Sequence, residues 1–377
     1  MKARDFLEAI HKRGIDKIAG VPDSTLKQFC DELQFQGDVF SHDVTANEGA
    51  AVGIAVGSYL GSGKPACVYM QNSGLGNIVN PLTSLAHTDV YGIPMLYVIG
   101  WRGEPGVKDE PQHVFMGKVT CKMLEVLDVA YSVIDKNTTL AELDEILNQA
   151  WAAFVQNQQY AIVVKKGTFE KDREHIWENG YELNRENALR AILDCLPKDT
   201  AIVSTTGKIS RELYEQSAAG YGNHDNLFMS VGGMGHASMI ALGVAEAQKD
   251  RKVICVDGDG ATLMHMGSLA FVGAKAQGNF YHIVINNQAH ESVGAMPTGC
   301  MNIQIAELAR TAGYKYATRI TTMEQLQEIG DSIAKKQGPC LFEVMVGLDS
   351  RADLGRPKES ARENKESFMQ YLGNDNF

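Results

Sequence analysis

No stretch of the 377-residue sequence approaches the roughly 18 uninterrupted apolar residues that a membrane-crossing helix needs. The first fifteen residues, MKARDFLEAIHKRGI, also lack the apolar core and small-residue cleavage site of a secretory signal. Phe6, Leu7 and Ile10 stand there at helical spacing among charges, so a cytoplasmic protein beginning with a helix is expected. The seven cysteines include no Cys-x-x-Cys pair and fall mostly inside apolar runs, which favours reduced core thiols over a disulfide framework or thiolate metal site. Basic residues are outnumbered, 35 to 46, giving a net charge of -11. Clustered cations of the kind that hold nucleic acid or anionic lipid are therefore not expected, and an anionic small substrate has to be met by a local group of basic side chains. Short-period repeats and low-complexity tracts are absent as well.

What is there is an alternation. Strand-like runs at 17–21, 66–70, 94–100, 129–134 and 161–166 are separated by helical patterns such as 24–33 and 140–155. A charged stretch poor in aliphatic residues, 169–187, reads as a linker between a domain of 1–168 and one of 188–377. The alternation then resumes with strands at 200–205, 252–257, 281–286 and 340–346, and helices at 236–249, 264–277, 303–312 and 322–336. This predicts two α/β domains in succession, each a doubly wound parallel sheet wrapped by helices, with no third domain between them. The tail from Ser350 is basic at first and then amphipathic.

Ligands of an open parallel sheet bind beyond the carboxyl ends of its strands. Asp259, in Gly258-Asp259-Gly260, lies just past the end of one strand. Asn286 and Asn287 end the next strand, which one helix joins to the first. If the strands are neighbours, as consecutive right-handed crossovers usually make them, the carboxylate and amide oxygens converge. Oxygen ligands of this kind suit Mg2+ completed by a phosphate, and Gly258 and Gly260 let backbone N–H groups approach a diphosphate at a helix start. GSYLGSGKP is no phosphate loop, because its first glycine comes one residue early and Pro65 takes the place of the Ser or Thr. His87, His113 and His290 do not have metal-ligand spacing.

The 25 residues between Gly260 and Asn286 match a thiamine diphosphate signature, and the chain resembles the thiamine-diphosphate-dependent decarboxylases. The resemblance spans nearly the whole sequence and includes GVPDS, TANEGAAVGIAVG, QNSGLGNIVNPL, SVGGMGHA, DGDGATLMHMGSLA, NNQAHESVG and LGRP. It implies a thiamine-diphosphate-binding fold and Mg2+ held by Asp259, Asn287 and the carbonyl of Ala289. Gly258, Gly260 and Ala261 would lie at the diphosphate, with Thr206 and Gly207 nearby. Met234 would prop the cofactor in a bent form, and Glu48, at the head of an all-apolar helix, would bond the pyrimidine ring nitrogen. Asp23 and His290 would act near the reactive carbon, with Ser24, Arg351, Arg356, Lys165 or Lys166 at the substrate.

The two-domain plan is similar to the compact branch of that family acting on anionic 2-oxo acids with a phosphonate or sulfonate head. Non-oxidative loss of carbon dioxide and self-association with active sites shared between subunits are what it implies. One departure is SVGAMPT, where Ala295 and Met296 stand in place of Gly-Gln. Other 2-oxo-acid decarboxylases, a carboligase and a non-catalytic cofactor-binding subunit are the alternatives.

Overall fold

A computed structural model describes residues 1–335, 337–348 and 350–374. Two units form, Met1–Ile176 with Val293–Met296, and Trp177–Ser292 with Pro297–Phe377. In the first unit the elements run α1 (Ala3–His11), β1 (Lys17–Gly20), α2 (Lys27–Leu33), β2 (Ser41–Val44), α3 (Glu48–Ser62), β3 (Ala66–Gln71), α4 (Leu75–Pro81), β4 (Met95–Gly100), α5 (Pro111–Val126), β5 (Ala130–Ile134), α6 (Leu140–Val155) and β6 (Tyr160–Val164). All six strands are parallel, in the order β2-β1-β3-β4-β6-β5.

The second unit runs α7 (Arg185–Cys195), β7 (Ala201–Ser204), α8 (Lys208–Tyr221), β8 (Leu227–Met229), α9 (Ala237–Ala247), β9 (Val253–Gly258), α10 (Asp259–Met264), α11 (Gly267–Lys275), β10 (Phe280–Asn286), α12 (Ile305–Thr311), β11 (Tyr316–Ile320), α13 (Gln327–Ala334), β12 (Cys340–Met345) and α14 (Ala361–Tyr371). Its sheet, β8-β7-β9-β10-β12-β11, is also all parallel and repeats the strand order of the first. In each sheet the direction of winding reverses between the first and third strands of the unit, which opens a crevice at their carboxyl ends.

The sequence expectation of two doubly wound parallel sheets is what the chain forms. Helices cover both faces of each sheet, so β4, β6, β10 and β12 are buried throughout and read as unbroken apolar runs. Two apolar layers flank each sheet, for example Phe6, Phe29 and Leu96 against Val68, Tyr97 and Ile99 in the first unit. The differences lie at the margins. β2, β8 and β11 were not expected, each is an edge strand, and each carries partly exposed residues. The helix expected over 264–277 starts earlier, at Asp259, and breaks at His265 and Met266 before resuming at Gly267. The expected linker ends sooner than 187, since α7 opens at Arg185. No described helix is long and apolar enough to cross a membrane.

Candidate active site

In the first unit, Asn47 caps α3 by accepting from the Ala50 N–H at 2.9 Å, which places Glu48 in the first helical turn. Glu48 is 5% exposed, and burial raises its pKa because its charged form has lost water. Among the described residues its side-chain donor is Asn77 Nδ2, 2.7 Å from Oε2. Gly74 permits this packing, since a Cβ there would run into the Glu48 carboxyl. Asn77 and Gly74 come from the loop and helix after β3, and no local pattern ties them to Glu48.

Asp23 follows β1 and is fully buried. Its Oδ1 accepts from Gln71 Nε2 at 2.6 Å and its Oδ2 from the Thr25 N–H at 2.8 Å, so it bridges the crevice between β1 and β3. A side chain at Gly100, the last residue of β4, would collide with it. Ser24 is exposed beside it and accepts from Arg102 Nη1 at 2.9 Å. Arg102 is not a residue the sequence pattern points to, and His113, set aside there as a metal ligand, stands near it with a pKa lowered by burial and then by the Arg102 cation. Lys165, offered as a substrate cation, instead pairs with Glu104 at 2.7 Å, and Lys166 stands exposed after the same strand.

In the second unit, β9 and β10 are parallel neighbours, as the motif spacing required. Asp259 begins α10 and is 3% exposed. Burial pushes its carboxyl up to about 7, although Thr298 Oγ1 donates to Oδ2 at 2.6 Å. Its remaining partners are backbone N–H groups and the Cys300 thiol. A buried carboxylate with only neutral partners is the environment that a divalent cation completes.

Asn287 is buried, and its Oδ1 accepts from the Ala289 N–H at 3.1 Å. Its Nδ2 donates to Glu291 Oε2 at 2.9 Å, which fixes the amide with its oxygen away from that carboxylate. Glu291 is itself bonded by Arg185 Nη1 and by Lys208 Nζ, the latter at 3.0 Å. Arg185 also makes a two-pronged bond to Glu212, at 2.7 Å on both sides. Burial would raise the Glu291 pKa, but the two cations bring it below the ordinary carboxylate range. Asn286 does not join Asp259 as the sequence suggested, because its Nδ2 donates to buried Glu343 at 2.8 Å and its Oδ1 accepts from the Gln288 N–H. It anchors the strand end.

His290 stacks its ring edge over Gly260, where a Cβ would lie 2.9 Å from Cε1. Burial pushes its pKa down to about 4, so it is a neutral imidazole. Ala261 is 4% exposed within α10. Gly207 opens α8 with φ +94°, and a Cβ there would meet nothing within 4 Å. Thr206 Oγ1 donates to the Val231 carbonyl at 3.1 Å. Met234 is half-buried between Gly233 and Gly235, both at positive φ. Gly258, with the Gly258 carbonyl taking the Thr262 hydroxyl at 2.9 Å, leads into α10.

Arg351 is not a free cation for substrate. It is bonded by Glu186 and Glu215, with Asp353 at 3.3 Å, on an exposed segment along α8. Arg356 is exposed on that same segment. Another set of metal-type groups, Cys255, Asp257 and His282, is buried with ligand atoms within 4.8 Å of one another. It lies inside the sheet, with Tyr314 bonded to His282 Nδ1 at 3.2 Å, and not at the strand ends.

The oxygen set of Asp259, Asn287 and the Ala289 carbonyl fits Mg2+, and the glycine-opened start of α10 fits a diphosphate. Residues 2–123 match the family described as thiamine pyrophosphate enzyme, N-terminal TPP binding domain, and residues 216–344 match its C-terminal TPP binding domain. The chain belongs to the thiamine-diphosphate-dependent decarboxylases. Two curated relatives named phosphonopyruvate decarboxylase, from Streptomyces viridochromogenes and Streptomyces hygroscopicus, are each 34% identical to it over 98% of this chain and 94% of their own. A sulfopyruvate decarboxylase from Methanosarcina acetivorans is 27% identical over 85% of each chain.

Proposed function

We propose that the protein decarboxylates 3-phosphonopyruvate, without oxidation, to phosphonoacetaldehyde and carbon dioxide, using thiamine diphosphate and Mg2+. The observation that carries this reading is 34% identity to the two phosphonopyruvate decarboxylases over nearly their whole length. Thiamine diphosphate, when bound, supplies the carbon nucleophile and the electron sink for loss of carbon dioxide.

The protein's own residues do the rest. Asp259, Asn287 and the Ala289 carbonyl hold Mg2+, and Glu291 keeps the Asn287 oxygen available for it. The N–H groups of Gly260 and Ala261 would receive the diphosphate, with Thr206 and Gly207 beside them, and Met234 would support the cofactor. Glu48, protonated more readily than an exposed carboxyl, would hydrogen-bond a ring nitrogen of the cofactor and hold a proton there. Asp23 and the neutral His290 hold or deliver protons at the reacting carbon, and Ser24 contacts substrate.

Self-association also belongs to this reading, with Glu48 of one copy serving a cofactor anchored by Asp259 of another. The test is a panel of phosphonopyruvate, sulfopyruvate and pyruvate, assayed for aldehyde release with and without Mg2+ and thiamine diphosphate. The highest kcat/KM is expected on phosphonopyruvate with both present. A higher value on sulfopyruvate would replace this reading with its sulfonate counterpart, and condensation products in place of free aldehyde would make the protein a carboligase.

A further inference from the structure

Of the basic groups at the strand ends, Arg102 is the one built to receive an anion. Asp109 grips its guanidinium side-on, with Nε to Oδ2 at 2.8 Å and Nη2 to Oδ1 at 2.6 Å, and Nη1 donates to Ser24 Oγ at 2.9 Å. A guanidinium carries five N–H bonds, and two of them have no acceptor among the described residues. The Ser24 hydroxyl, having accepted from Arg102, keeps its own hydrogen to donate.

The platform is rigid. Buried Asn72, at the end of β3, accepts from the Arg102 N–H at 3.2 Å and donates to the Arg102 carbonyl at 2.8 Å. Gly103, at φ +67°, meets α5 so closely that a Cβ on it would strike the His113 carbonyl, and a Cβ on Gly117 would strike Gly103. Trp101 Nε1 donates to the Gly117 carbonyl at 2.9 Å and ties the loop down again. Arg102 is thus held at the end of β4, beside Ser24 and the Asp23 that bridges the crevice of this sheet. Arg351, in contrast, faces carboxylates from three residues.

We propose that Arg102, aimed by Asp109 and Ser24, binds the tetrahedral oxyanion head of the substrate, a phosphonate or a sulfonate. The inference rests on the reading that the substrate is a 2-oxo acid bearing such a head. Two N–H donors and a hydroxyl match the oxygens of that head, and a guanidinium suits such an oxyanion better than an ammonium.

The test uses the holoenzyme with Mg2+ and thiamine diphosphate, comparing wild type with Arg102→Met and Arg102→Lys. Calorimetric binding of phosphonoacetate should weaken roughly 100-fold in R102M and recover in part in R102K, with the thermal midpoint little changed. In turnover, the ratio of kcat/KM on phosphonopyruvate to that on pyruvate should fall roughly 100-fold in R102M. The sulfopyruvate ratio, measured alongside, shows which head the site prefers. Equal losses on all three substrates, unchanged ratios, or no phosphonoacetate binding to wild type would overturn the proposal. If wild type turns over pyruvate and not phosphonopyruvate, the proposed function fails. Phosphonoacetate binding then still decides the subsite: its loss in R102M supports it and its retention overturns it.

Discussion

Asn77 Nδ2 donates to Glu48 Oε2 at 2.7 Å, and it is the side-chain donor that holds this buried carboxyl in place. The bond favours the ionised form, while burial favours the protonated one, and burial is the larger effect. Glu48→Gln should therefore fold and bind cofactor yet lose activity by about 10²- to 10⁴-fold, read from steady-state turnover. Asn77→Ala should raise the Glu48 pKa further, which moves the basic limb of the pH–rate profile upward, because the protonated carboxyl is the working form.

The same carboxyl sets a stability trend. Because its folded pKa lies above the unfolded one, folding takes up a proton, and the cost of burying Glu48 is absent at low pH. It appears as the pH rises from the unfolded value through the folded one. E48Q should match wild type in thermal midpoint below that window and exceed it at neutral pH. An unchanged difference across pH would contradict this.

Glu291 positions the Asn287 amide. Glu291→Gln should weaken Mg2+ binding roughly 10- to 100-fold, as loss of an outer-shell partner commonly does. It should also lower stability by about 3 kcal/mol, because Arg185 and Lys208 lose a shared anion. Metal titration and denaturant unfolding separate the two effects.

Asp259→Asn should abolish the gain in thermal midpoint that Mg2+ with thiamine diphosphate gives wild type, because a ligand stabilises only the state that binds it. Mixing unfolded E48Q and D259N chains and refolding them together should restore roughly a quarter of wild-type activity in a two-fold assembly, if each site draws on two copies. No recovery would place both residues of a site in one chain.

Gly103→Ala meets two obstacles, a left-handed backbone and the His113 carbonyl. We expect a loss of at least about 2 kcal/mol in denaturant unfolding.

The central strands were readable because burial on both faces writes an unbroken apolar run, whereas β2, β8 and β11, at sheet edges, carry mixed side chains that resemble loops. The strand-end positions of Asp259 and Asn287 were readable for a similar reason: each sits in a short motif at the end of such a run. Asn77 lies 29 residues from the Glu48 it serves, and Arg102 lies 78 from Ser24. Those partnerships are made by strand order, which local patterns do not encode. Charge alone does not reveal the carboxylates that already surround Arg351. Ala295 keeps a backbone φ of +58°, so the turn that suits glycine persists there with an alanine in it.

Each sheet closes around its own pair of apolar layers, and the boundary of the two units falls between Ile176 and Trp177, where no helix or strand runs. A stop codon and a new start placed at that point would divide the gene and leave on the second polypeptide only Val293–Met296 of the first unit, with Met296 the one residue of its core that has to dock from the other piece. The two polypeptides, made side by side in one host, should each emerge folded, and enzyme activity should return when they are combined.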